Sequence, residues 1–181
     1  MTQFDPNSAL LVIDMLNDFV REGRALEVPE ARRIIPALQW AIAAARRAGA
    51  KIVYVCDNHI PNDPEFRAWP PHAVVGTEGS QVISELAPQP GDITVAKRYL
   101  LPFHNNDLDG YLREFGIKRV VVTGVLTDIC VYHAVSDATV RGYETTVLTD
   151  CVAALTPEDH AFALKQMERL FKAKMEKVSD D

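Results

Sequence analysis

The sequence predicts an α/β protein: an open three-layer α/β/α sandwich built on a mostly parallel, Rossmann-like sheet. Three observations carry that expectation. Short apolar runs alternate with longer segments of helical period, the pattern left by right-handed crossovers between parallel strands. The run Val120-Val121-Val122 is β-branched and does not alternate in and out, as expected where helices cover both faces of a sheet. Finally, the expected strands lead into Asp14, Asp57, Lys97 and, past Gly124, Cys130. In open parallel sheets ligands bind beyond the carboxyl ends of the strands, so these four reactive side chains should share one rim.

Taken in order, Ala9 to Ile13 (ALLVI) reads as the first strand, ending at Asp14. A helix is expected from Arg33 to Ala48, with Ile34, Ile35, Leu38, Ile42 and Ala45 on one face. Pro36 is compatible with that helix only in its first turn, and Gly49 ends it. Lys51 to Cys56 (KIVYVC) is the second strand, leading into Asp57. From Asn58 to Gly79 the chain is irregular and proline-rich, too long for a passive connection and so a candidate functional loop. A short helix over Ser80 to Ala87, a third strand over Asp92 to Ala96 and a helix over Asn105 to Phe115 follow. After the fourth strand, Thr127 stands where a helix N-cap belongs, and the helix runs to Val140 before Gly142. Thr145 to Leu148 makes a fifth strand, and a last helix starts after Thr156-Pro157.

With 181 residues, 48% of them hydrophobic, the chain suits one domain over residues 1–181 with a sizeable core. The net charge of −6 is spread over interspersed acids and bases, with no basic stripe for nucleic acid. A like-charged end is confined to Ser179-Asp180-Asp181. No stretch approaches membrane-spanning length, and the start lacks a signal-peptide layout. Cys56, Cys130 and Cys151 are odd in number and widely spaced, and read as reduced cytoplasmic thiols.

Cys130 falls in the first turn of its helix, where unpaired backbone N–H groups and the helix dipole favour thiolate, the form that attacks carbonyls. Asp14 could take the thiol proton and return it to a leaving amine, and Lys97 supplies positive charge. A second group is Asp57, His59 and His72, with Glu65 between the histidines. One carboxylate and two imidazoles leave open positions on a transition metal. His104, His133 and His160 lack such company and read as ordinary histidines.

IDMLNDF around Asp14, AKRYLLPF around Lys97 and GVLTDICV around Cys130 resemble the triad segments of isochorismatase-like cysteine hydrolases. The likeness runs from about Ala9 to Phe171. DNHIPNDPEFRAWPPHAVVGTEGS further resembles the metal loop of nicotinamidases in that family. The resemblance implies an isochorismatase-like fold, a catalytic Asp14–Lys97–Cys130 triad, and metal ligands Asp57, His59 and His72, with Glu65 as a further ligand or supporting group. It implies one divalent transition metal, zinc first and iron or manganese as alternatives. It also implies a cis Val125–Leu126 peptide that aims the Leu126 N–H, beside that of Cys130, at an oxyanion. Phe19 and Trp69 match positions that stack on a pyridine ring. Leu16 and Leu126 depart from the residues common there, Gln and Ala, and a larger Leu126 would narrow or reshape the pocket.

The leading expectation is a cytoplasmic, homo-oligomeric, metal-dependent amidase acting on a small-molecule amide, nicotinamide first. Another substrate within the family is the alternative. A receiver-type signalling domain would need an acidic pair near the first strand and a phosphoacceptor Asp after the third, which here ends in Lys97. A dinucleotide-binding module would need G-x-G-x-x-G after the first strand, and none is present.

Overall fold

The computed structural model describes residues 4–178. The acidic Ser179-Asp180-Asp181 end lies outside them. Six parallel strands form one sheet: β1 (Ser8–Ile13), β2 (Lys51–Asp57), β3 (Ile93–Lys97), β4 (Arg119–Val125), β5 (Glu144–Ala153) and β6 (Lys174–Glu176). Their order is β3-β2-β1-β4-β5-β6. The winding reverses between β1 and β4, and there the connections leave opposite faces of the sheet and open a crevice.

Side chains alternate across β1 and build two cores. Leu10 and Val12 face helix α2 (Ile35–Arg47), whose Leu38, Ala41, Ile42 and Ala45 form its buried stripe. Leu11 and Ile13 face the other layer: α3 (Leu108–Glu114), α4 (Tyr132–Val140) and α5 (Pro157–Phe171). These alternate layers explain why β1 and β4 are buried along almost their whole length. The one-turn helix α1 (Asn17–Val20) follows β1.

Several boundaries differ from the sequence reading, each for a local reason. Pro36 does lie in the first turn of α2, but a 3₁₀ turn over Pro29–Arg32 precedes it. The helix expected over 80–87 is instead two 3₁₀ turns, Glu78–Ser80 and Ser84–Leu86. Between them the Ile83 N–H donates to the Met15 carbonyl (3.0 Å), which removes it from any helical ladder. α3 begins at Leu108 because Asn106 Oδ1 accepts the Leu108 N–H (3.1 Å). β5 continues past Leu148 through a bulge, its register jumping from Val122↔Val147 to Gly124↔Val152. β6, too short for a periodic signal, closes the far edge.

Gly124 is where β4 touches β1 most closely. Its φ is +103°, and a Cβ there would sit 2.0 Å from the Ile13 carbonyl oxygen. Only glycine permits that approach. Among the described residues no helix is long and apolar enough to cross a membrane.

Candidate active site

Each reactive residue reaches the rim by a different route. Asp14 follows β1 with φ of 50°, a left-handed conformation that Asp tolerates better than most residues. Its N–H donates to Val55 O (2.9 Å), so the turn is tied to β2. Asp57 ends β2 and Lys97 ends β3, and the parallel register pairs the two directly. Cys130 comes from the π-helical turn Thr127–Val131 between β4 and α4. The Val125–Leu126 peptide before it is cis.

The buried Lys97 ammonium joins them. Its Nζ lies 2.9 Å from Asp14 Oδ2 and 3.6 Å from Cys130 Sγ, and it donates a short hydrogen bond to Asp57 Oδ1. The Asp57 backbone N–H donates to Asp14 Oδ1 (2.7 Å). Burial would lower the Lys97 pKa, but the two carboxylates override it and hold the amine charged. Burial pushes Asp14 up to about 6, the Asp57 charge adding to it and Lys97 opposing it. Asp57 goes the other way: burial would raise it, yet Lys97 keeps it below the usual carboxylate range.

Two sequence expectations at this turn need correction. Thr127 does not cap the helix with its side chain. Leu126 holds the cap position, and the Thr127 hydroxyl meets His160 Nδ1 at 3.0 Å instead. The thiol of Cys130 is also not poised as thiolate. It is 6% exposed, and burial drives its pKa well above the ordinary value, outweighing the pull of Lys97. A thiol so held needs a base at the moment of attack, and Asp14 is the adjacent group whose pKa lies in reach of neutrality.

The second constellation forms against the first. Asp57, His59 and His72 each offer one ligand atom, all within 4.8 Å of one another, and all three are buried. The Nε2 atoms of both histidines stand 3.7 Å from Asp57 Oδ2, beyond hydrogen-bond reach. Both ring nitrogens of His59 are buried with no hydrogen-bond partner. His72 Nδ1 is matched with the Pro70 carbonyl (2.8 Å), which leaves Nε2 free toward Asp57. Buried imidazole nitrogens without partners are costly, and a divalent cation bound by nitrogen and carboxylate oxygen would satisfy them. The residues therefore fit a transition metal. Glu65 stands 4.0 Å from His59 Nε2. Asp57 belongs to both groups, as the sequence reading placed it; what spacing along the chain did not disclose is its direct bond to Lys97.

Sequence reasoning missed Asp63, which is buried 3.5 Å from His59 Nδ1 and fixed by Arg98 (3.0 Å). Its signal was the Asp63-Pro64-Glu65 run, where Asp63 Oδ1 accepts the Glu65 N–H (3.2 Å) to cap a 3₁₀ turn. A narrow cavity joins the two constellations. Phe19, Trp69 and Leu126 line it, together with Asp14, Asp57, Glu65, His72 and Cys130. Leu26, Leu100, Val125 and Ile129 complete its apolar wall and were not foreseen. Phe19 packs edge-on against the His72 ring at 5.5 Å.

The model of the isochorismatase domain matches residues 8–178. The chain belongs to the isochorismatase family. As a member of that family it is a hydrolase, and its relatives differ in what they act on. A probable inactive nicotinamidase of Arabidopsis thaliana is 30% identical over 175 residues, covering 91% of this chain and 89% of the relative. N-carbamoylsarcosine amidase from Thermoplasma acidophilum superposes with a TM-score of 0.88 at 36% identity, covering 97% and 98% of the two chains. Pyrazinamidase of Pyrococcus horikoshii, solved in complex with zinc, gives 0.90 at 34% identity over 95% and 99%.

Proposed function

We propose that this isochorismatase-family hydrolase cleaves a small uncharged carboxamide on a nitrogen-containing aromatic ring, nicotinamide first, to the carboxylate and ammonia. The observation that carries this reading is the position of the Asp57, His59 and His72 set, two of whose members, Asp57 and His72, line the cavity that holds Cys130. A pyridine nitrogen suits a zinc, iron or manganese ion in that set, and such an ion would supply a Lewis-acid anchor for the ring. The wall of the cavity argues in the same direction. Among the described residues that line it none is Lys or Arg, and the ammonium nearest Cys130, Lys97, is already engaged by two carboxylates. A substrate bearing a carboxylate would find no counter-charge and three acidic side chains, Asp14, Asp57 and Glu65.

In this reading Asp14 takes the Cys130 proton as sulfur bonds to the amide carbon. The Leu126 and Cys130 N–H groups receive the negative charge that builds on the carbonyl oxygen. As the C–N bond breaks, Asp14 returns the proton and ammonia leaves. Water then adds to the thioester, releasing the acid and restoring the thiol. Lys97 orients Asp14 throughout and favours its ionised form before attack. The contact of Asp14 and Lys97 with Cys130 supports a competent site, one relative's designation as inactive notwithstanding.

Ammonia release over a panel of small amides, with and without chelator, tests the proposal, alongside elemental analysis of the purified protein. One transition metal per chain, preference for nicotinamide over benzamide, and a raised KM on removing His59 are expected. Equal turnover of both amides by a metal-free protein would overturn the metal-anchored reading.

A further inference from the structure

The cavity over Cys130 adjoins a second, roomier cleft. Its free volume is about 30 Å³, whereas the cleft beside it offers about 330 Å³. The two meet at three side chains common to both: Leu26, Trp69 and Leu126. Beyond that partition the cleft is floored by the fully buried Val28 and walled by Leu155, which is 52% exposed. The charges at its rim are already spent. Arg24 pairs with Glu78 (2.7 Å), and Glu27 pairs with Arg32 (2.8 Å) and accepts the Gly23 N–H (2.8 Å). An apolar recess that adjoins a reaction cavity, with its rim charges internally matched, suits an uncharged apolar group and offers nothing to an ionic one.

Resting on the reading above, we infer that the substrate is an aromatic carboxamide carrying a short apolar substituent on its ring, and that this substituent lies in the cleft between Trp69, Leu126 and Leu155. The side of attachment follows from which residues line which space. Asp14, which hands the proton to the leaving nitrogen, lines the cavity over Cys130 and not the cleft, and the same holds for Asp57, His72 and Cys130. The nitrogen being expelled therefore faces inward, and the edge of the ring faces Leu26, Trp69 and Leu126. Leu126 is one of the residues in which this chain departs from the resembling nicotinamidases. Here it forms the partition between the two spaces.

The test is a homologous series: nicotinamide, ring-methyl, ring-ethyl and ring-propyl nicotinamides, and N-methylnicotinamide. Affinity is read by calorimetry on Cys130→Ala protein loaded with zinc, and by competition in the wild-type enzyme. Each buried methylene should tighten binding about fourfold, while N-methylation should weaken it. Leu155→Glu should bring the propyl-to-parent affinity ratio back toward one, whatever the affinity for the parent. A flat or falling ring-alkyl series overturns the inference, as does a gain on N-alkylation. Because binding is the readout, the outcome does not depend on turnover. Stepwise gains without ammonia release from any member would sustain the cleft assignment and overturn the hydrolytic reading for this substrate class.

Discussion

The Thr127 hydroxyl lies 3.0 Å from His160 Nδ1 and ties the turn that carries Cys130 to the first turn of α5. Thr127 is fully buried and His160 half-buried, so water can replace the bond at most on the imidazole side. Thr127→Val should cost about 1–3 kcal/mol by stranding the imidazole nitrogen, seen as a lower melting temperature. Thr127→Ser should recover most of that loss. If the turn positions the nucleophile, kcat in the Val variant falls more than KM rises. Unchanged melting and kinetics would show that the contact is incidental.

Asp14 should set the acid side of the pH profile. Its carboxyl is pushed up to about 6 by burial and by Asp57, against the pull of Lys97. Below that pH it holds a proton and cannot accept another from Cys130, so kcat/KM should rise with pH and level above about 6. Stability runs the opposite way. A folded carboxyl that holds its proton more tightly than the unfolded one favours the fold at acid pH, and that benefit is lost between roughly pH 4 and 6. Asp14→Asn should lower turnover by ~10²–10⁴-fold and remove the acid limb. Wild-type rates across pH would reduce Asp14 to an ion-pair partner.

The three cysteines are all buried and free, yet they should respond differently to alanine. Cys56 and Cys151 have thiols raised by burial, and Cys151 Sγ meets the adjacent Asp150 carboxylate at 3.7 Å. Cys130→Ala should abolish turnover with the fold retained, whereas Cys56→Ala and Cys151→Ala should keep it. Residual activity of Cys130→Ala above roughly a few per cent of wild type would remove the nucleophile assignment.

Asp63 should govern metal retention without touching the ion. It sits 3.5 Å from His59 Nδ1, on the side away from Asp57, and Arg98 fixes it. Asp63→Asn should weaken zinc affinity by ~10–100-fold, the usual scale for a group that orients a ligating imidazole. Competition with a chromophoric chelator reads this directly. An unchanged affinity would leave Asp63 as the cap of its 3₁₀ turn and no more.

Gly124→Ala is expected to be the most damaging single methyl in the sheet. The added carbon would meet the Ile13 carbonyl at 2.0 Å on a backbone with φ of +103°. Overpacking and left-handed strain together should cost ~3 kcal/mol or more. Soluble expression and denaturant melts would decide it, and near-native stability would show that β1 and β4 can part locally.

What the sequence disclosed depended on the length scale of each signal. The first five strands were legible because their apolar, β-branched runs are long enough to have a pattern. β6 and α1 were not, since three or four residues carry no period. The 80–87 segment has helical apolar spacing in Val82, Ile83 and Leu86, but a long-range bond to Met15 captured it. The four rim residues were found because strand ends can be read from pattern alone. The direct pairing of Asp57 with Lys97 could not be, since it rests on the β2–β3 register. For Cys130 the local argument from a helix terminus was sound in kind and too small in size. Burial, a property of the whole fold, outweighed it.

The contacts among those rim residues close chain separations of 43, 40 and 33 residues. Each such closure costs loop entropy that local structure cannot offset in advance, and parallel pairing is slow to form for the same reason. No fragment holding fewer than four strands can bring Asp14, Asp57, Lys97 and Cys130 together. During refolding, secondary structure should therefore return before any hydrolysis is detectable, and recovered activity should time the last docking of β3 onto β2 and of β4 onto β1. The enzyme would then serve as its own clock for completed folding, with catalysis the final signal to appear.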